Sequence, residues 1–126
     1  IPRLGLVRAL RTGGWGMTAA GTHVRYRRRV RAFHRFALHS RLIGWDERFL
    51  YVEQAMWRGG EALNHILVRL AATQARGILP PVRLIAQMGH PDTPSPALPG
   101  WVEAWIAAEA QRPWPPAVGP GQGQIG

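Results

Sequence analysis

The chain has 126 residues, a formal net charge of +9, sixteen basic residues that are all arginine, seven acids and no cysteine. That length fits one domain with a modest core. Without cysteine there is no disulfide framework, no thiolate metal site and no cysteine nucleophile, and a reducing compartment, the cytoplasm, is the expected location.

No run approaches the roughly 18 to 20 apolar residues that a bilayer span needs, and no charged-then-apolar signal opens the chain. It begins Ile1-Pro2 without Met, so the N-terminus reads as cut. Arg3, Arg8, Arg11, Arg25, Arg27, Arg28, Arg29, Arg31, Arg35 and Arg41 all precede Asp46, the first carboxylate. Such a half attracts phosphates or an anionic surface.

Residues 1–12 read as the end of an amphipathic helix, with Leu4, Val7 and Leu10 spaced by threes and Gly13-Gly14 as the stop. From 22 to 32 the period changes to two. Thr22, Val24, Tyr26, Val30 and Ala32 share one side, His23, Arg25, Arg27, Arg29 and Arg31 the other, and only Arg28 breaks the pattern. A bare nucleic-acid or nuclear-localisation patch does not need that alternation, so a half-buried strand with a solvated arginine face is preferred.

A second half-buried strand, 35–43, puts Phe36, Leu38 and Leu42 on one side. After the turn Gly44-Trp45-Asp46-Glu47-Arg48, strands 49–57 and 61–73 are apolar on both sides and are expected to be the most deeply covered. Gly59-Gly60 permits positive φ at both centres of a two-residue hairpin turn. Counted outward without interruption, that turn sets Phe49, Tyr51, Glu53, Ala55 and Trp57 opposite Leu70, Val68, Ile66, Asn64 and Ala62. The other face pairs Val52 with Leu67, Gln54 with His65 and Met56 with Leu63. The first face is the better core, and Glu53 falls on it.

Pro80-Pro81 opens a short helix through Met88, closed by Gly89. Residues 90–99 form a Pro-rich linker. A last helix to about Gln111 carries Trp101, Trp105 and Ala108 on one face, expected to cover Val52, Met56, Leu63 and Leu67. Residues 113–126 read as a disordered tail, leaving residues 1–112 as the domain.

Four successive antiparallel strands with a helix before and short helices after make an α+β domain. The segments Thr22-His23-Val24-Arg25-Tyr26-Arg27-Arg28, Phe33-His34-Arg35-Phe36 and Gly44-Trp45-Asp46-Glu47-Arg48-Phe49-Leu50-Tyr51-Val52-Glu53 resemble the thioesterase-like hotdog family related to 4-hydroxybenzoyl-CoA thioesterases. They are also similar to the thioesterase superfamily member 6 proteins. The resemblance covers residues 3–89. It implies an antiparallel sheet wrapped on a central helix, a homodimer or higher homo-oligomer, and an acyl-CoA thioester as substrate with no cofactor. Active relatives carry Asp-x-Asn-x-His-Met-Asn-Asn at the entry to that helix. This chain has one asparagine, Asn64, so the motif, the first strand and most of the central helix would lie upstream of Ile1, and the chain alone would be inactive.

Thioester hydrolysis needs a carboxylate to activate water or attack the carbonyl, and donors for the oxyanion. Residues 1–12 hold no acid. The resemblance makes Glu53 and Asn64 candidates to line the acyl site, against the blander reading of Glu53 as a buried, hydrogen-bonded acid. Arg25, Arg27 and Arg29 are candidate contacts to coenzyme A phosphates. His65 has no visible acid to orient it, and His23, His34, His39 and His90 lack metal-ligand spacing, so no metal site is expected. Asp46 fits the turn. Trp101 and Trp105 are read as packing in preference to a partner stripe. The alternative function is a non-catalytic hotdog that binds acyl groups or a protein partner; specific nucleic-acid binding ranks last because no aromatic residues interleave the arginine face.

Overall fold

The computed structural model describes residues 3–29 and 35–121. Helix α1 (Arg3–Gly13) is followed by strands β1 (Gly16–Tyr26), β2 (Ala37–Trp45), β3 (Leu50–Arg58), β4 (Glu61–Thr73) and the two-residue β5 (Ile78–Leu79), then helices α2 (Pro81–Gln87) and α3 (Gly100–Ala110). The sheet is antiparallel with order β1-β4-β3-β2, and β5 pairs with β4. This is the expected α+β arrangement.

Two glycines end α1. Gly14 takes φ 69, which lets its N–H reach Arg11 O at 3.2 Å while the Trp15 N–H reaches Leu10 O at 2.8 Å. This double closure satisfies carbonyls that the last helical turn leaves without partners. The helix then lays Ala9, Leu6 and Leu10 against the sheet.

β1 starts six residues earlier than the period-two pattern suggests, because Gly16, Met17, Thr18, Ala19 and Gly21 pair with β4 although they carry no strong strand signal. It also ends at Tyr26, and the expected strand residues Val30, Arg31 and Ala32 lie outside the described residues. β2 runs through Gly44 and Trp45, so the turn is shorter than expected and centres on residues 46–49. β4 has the expected bounds.

The hairpin register differs from the expected one. Arg58 pairs with Glu61 and Trp57 with Ala62, but Met56 then pairs with Asn64, leaving Leu63 as an extra residue in β4. The turn fixes only the pairs nearest to it; only Gly59 uses a positive φ, 59. Two interactions hold the bulge: Asn64 Oδ1 accepts the Met56 N–H at 3.1 Å, and Leu63 O accepts the N–H groups of Arg27 and Arg28, both at 2.9 Å. Past Leu63 every pair is displaced, so Glu53 opposes Leu67 and Tyr51 opposes Arg69. Similar single-residue irregularities fall at Ala20 in β1 and Ile43 in β2. Bulges of this kind bend and twist a strand, which suits a sheet that curves around a helix.

Each face of the sheet has its own apolar cluster. Beneath α1 and α2 lie Ala9, Trp45, Leu50, Ala72, Leu79, Leu84 and Ile85, all buried. Beneath α3 lie Tyr51, Leu67 and Val102, with Ile43, Phe49, Leu98, Trp105 and Ile106 around them. α3 therefore covers Leu67 as expected, whereas Val52 and Met56 belong to the opposite face. The linker 90–99 docks α3 against β2: Ser95 Oγ accepts the Trp45 N–H at 2.9 Å. A Cβ on Gly44 would come within 2.6 Å of Leu98 Cδ2 and 2.7 Å of Ser95 Oγ, so only glycine admits the linker this closely. Pro80 and Pro81 start α2 without a side-chain cap, Met88 caps its end, and Gly89 leaves it with φ 96.

Candidate functional site

The turn before β3 is built on one carboxylate. Asp46 Oδ1 accepts the N–H groups of Arg48 and Phe49 at 2.9 and 2.8 Å, and Asp46 Oδ2 accepts the Tyr51 hydroxyl at 2.6 Å. Asp46 thus serves the turn and also reaches into the α3 face. Tyr51 is fully buried, and its burial and its bond to Asp46 push the phenol from 10.0 to about 12. The Arg69 guanidinium lies 4.6 Å from the Phe49 ring centroid, 5.6 Å from Tyr51 and 5.0 Å from Trp105, a cation held among aromatic faces. Nothing in the local sequence announces this cage, because it joins β3, β4 and α3.

Further along the same face is a polar row. Glu53 Oε1 accepts from Arg41 Nε at 3.0 Å, and Glu53 Oε2 lies 3.1 Å from His65 Nε2. The expectation that His65 faces Gln54 and lacks an acid is therefore overturned. The displaced register puts Glu53 and His65 on one face, and a carboxylate can only accept, so His65 Nε2 carries the proton in this pair. The Trp101 ring meets His65 edge-on at 5.3 Å between centroids. An acid holding an imidazole is the orienting half of an acid–base unit. Among the described residues no hydroxyl is hydrogen-bonded to His65 to serve as nucleophile.

Asn64 and Glu53 do not converge. Asn64 pairs with Met56 on the α1 side and Glu53 with Leu67 on the α3 side, so their side chains leave the sheet in opposite directions. Asn64 is buried and its side-chain oxygen is engaged by the bulge. Arg25 is the direct cross-strand partner of His65. Arg25 and Arg27 line a groove of about 330 Å³ with Ala62, Asn64 and His65, whereas Arg29 lines a separate depression with Tyr26, Arg27 and Arg28.

On the opposite face an apolar trough of about 260 Å³ runs between α1 and the sheet, lined by Leu6, Val7, Leu10, Met17, Val52 and Leu70 among others. Ser40, Arg41 and Gln54 give it polar edges, and no acid lines it. Among the described residues no cluster of three or more His, Asp or Glu could hold a metal ion, and no helix is long and apolar enough to cross a membrane.

Residues 2–106 match the family model of the thioesterase-like superfamily. The chain belongs to the thioesterase-like superfamily. Two curated relatives are similar to it: Protein THEM6 of Xenopus laevis, 31% identical over 106 residues that cover 82% of this chain and 49% of the relative, and Protein THEM6 of Drosophila melanogaster, 29% identical over 105 residues that cover 82% and 52%. The chain thus spans about half the length of the curated relatives it matches. Hypothetical protein TT1821 from Thermus thermophilus shares the fold, with a TM-score of 0.56 at 18% identity over 67% of this chain and 70% of that one. Members of this superfamily act on coenzyme A thioesters without a required cofactor.

Proposed function

We propose that this chain is part of an enzyme that hydrolyses an acyl thioester of coenzyme A and works as a homodimer in the cytoplasm. The match of residues 2–106 to the thioesterase-like superfamily carries this reading. The trough beneath α1 supports it, since a narrow, acid-free apolar slot suits an acyl chain. In this reading the attacking carboxylate or its water comes from residues preceding α1, because α1 has no acid and the trough none. Full-length protein should then release free coenzyme A from acyl-CoA in a thiol-trapping assay. No release from short, long or aromatic acyl chains would sink the enzymatic claim.

A second reading, a hotdog that binds acyl groups or a protein partner without hydrolysing anything, is favoured by one observation: the acid-free lining of the same trough. It predicts that a fluorescent acyl-CoA binds the full-length protein and is recovered intact.

A further inference from the structure

We propose that the hairpin end of the sheet docks on an anionic lipid bilayer, with arginines on the headgroups and a row of apolar side chains at the acyl boundary. Five large apolar side chains are exposed there: Val24, Tyr26, Phe36, Leu38 and Trp57. Tyr26, Asn64, Met56 and Leu38 are successive cross-strand partners, so their side chains leave the sheet on one side, in a row that spans all four long strands. Its two ends are open, with Tyr26 78% exposed and Leu38 48%. Val24, two residues back along β1, extends the row on the same side. Beyond the row the Gly59-Gly60 turn is bare, since a Cβ on either glycine would meet nothing within 4 Å.

The charge around this row is one-sided. Residues 24–29, 35–38 and 57–61 carry six arginines, Arg25, Arg27, Arg28, Arg29, Arg35 and Arg58, and one acid, Glu61, which lies 3.7 Å from Arg28. The other six acids of the chain are elsewhere, so this end holds more than half of the net charge of +9. Each arginine brought to an anionic leaflet adds to the attraction, and exposed Tyr and Trp suit the headgroup level. A second copy docked here about a two-fold axis would set this charge against itself. A nucleic acid would answer the arginines and leave Val24 and Leu38 in water, whereas a bilayer interface takes both.

The test is flotation of the full-length protein with vesicles of phosphatidylcholine alone and of equal parts phosphatidylcholine and phosphatidylglycerol. Binding is expected to the second composition only. Arg27→Gln/Arg29→Gln should weaken it about tenfold, and Tyr26→Ser/Leu38→Ser about fivefold. A charge-matched control, Arg76→Gln/Arg112→Gln, should change it less than about twofold, because those side chains lie outside this end of the sheet. All six substituted side chains are exposed, so an unchanged thermal midpoint is expected and certifies the fold. No binding to the anionic vesicles, or equal binding to both compositions, overturns the docking surface. So does equal weakening by the two arginine pairs, which reduces the effect to net charge, and so does unaltered binding of Tyr26→Ser/Leu38→Ser, which leaves charge without apolar contact. An oligonucleotide that binds more tightly than the vesicles, and is weakened by Arg27→Gln/Arg29→Gln alone, overturns it in favour of a nucleic-acid surface. None of these readouts depends on acyl-CoA hydrolysis, so the thioester reading stands or falls separately.

Discussion

The two faces of the sheet solve burial differently. Beneath α1 and α2 the contact is apolar, with seven buried residues drawn from both helices and four strands. Beneath α3 the buried cluster is Tyr51, Leu67 and Val102, and charges complete the contact: Asp46 on Tyr51, Arg69 among three rings, Glu53 between Arg41 and His65. The first face holds the fold together by area removed from water. The second relies on polar geometry.

The largest expected effect tests that contrast through volume. Leu50 and Leu67 are both fully buried, one on each face. Leu50→Ala should cost about 3 to 5 kcal/mol and Leu67→Ala about 2 to 3, because a void enclosed by more buried neighbours collapses less. Urea denaturation measures both, and equal costs would erase the distinction between the faces.

A middle-sized effect isolates the polar side. Tyr51 has a folded-state pKa of about 12 against 10.0 unfolded, so its contribution to stability is complete below pH 10 and is lost as pH rises through 12. The loss should be about 2 to 3 kcal/mol. The chain has no lysine or cysteine to titrate in that window. Thermal melts from pH 9 to 12 should show the decline, and Tyr51→Phe should flatten it. An unchanged slope in that variant would place the alkaline sensitivity elsewhere.

The smallest effect concerns the rim. Arg41 is 73% exposed, so its ion pair with Glu53 is screened, and a double-mutant cycle with Arg41→Ala and Glu53→Gln should give a coupling of about 0.5 kcal/mol. A coupling of several times that size would mean that α3 shields the row more than its exposure indicates.

Much of this was legible in the residues. The Gly13-Gly14 stop, the Pro80-Pro81 start, the bounds of β4 and the turn role of Asp46 each follow from local chemistry, because each is decided within a few residues. The start of β1 was not, since Met17 to Ala20 become a strand only by lying on β4. The candidate site was read least well. Arg25 and Arg27 were legible as candidates, but their meeting with His65 depends on a pairing about forty residues away along the chain, and the Glu53–His65 contact depends on Leu63. A bulge leaves no mark in an apolar run: Ala62, Leu63 and Ile66 look alike to a periodicity count, and the buried amide of Asn64 is the one residue there whose polarity betrays it.

Leu63 works as a parity switch. Along a strand, odd and even positions look to opposite sides, so one unmatched residue exchanges those labels for everything beyond it. Ten residues of β4 inherit their facing from it, including the histidine that meets Glu53 and the arginine among the rings. Sequence change in this hairpin is therefore governed less by the kind of residue inserted or removed than by whether the count stays odd or even. Deleting Leu63 alone would leave Asn64 opposite Met56 and Glu53 opposite Leu67, whereas an unbroken ladder that paired Leu63 with Met56 would turn His65 away from Glu53.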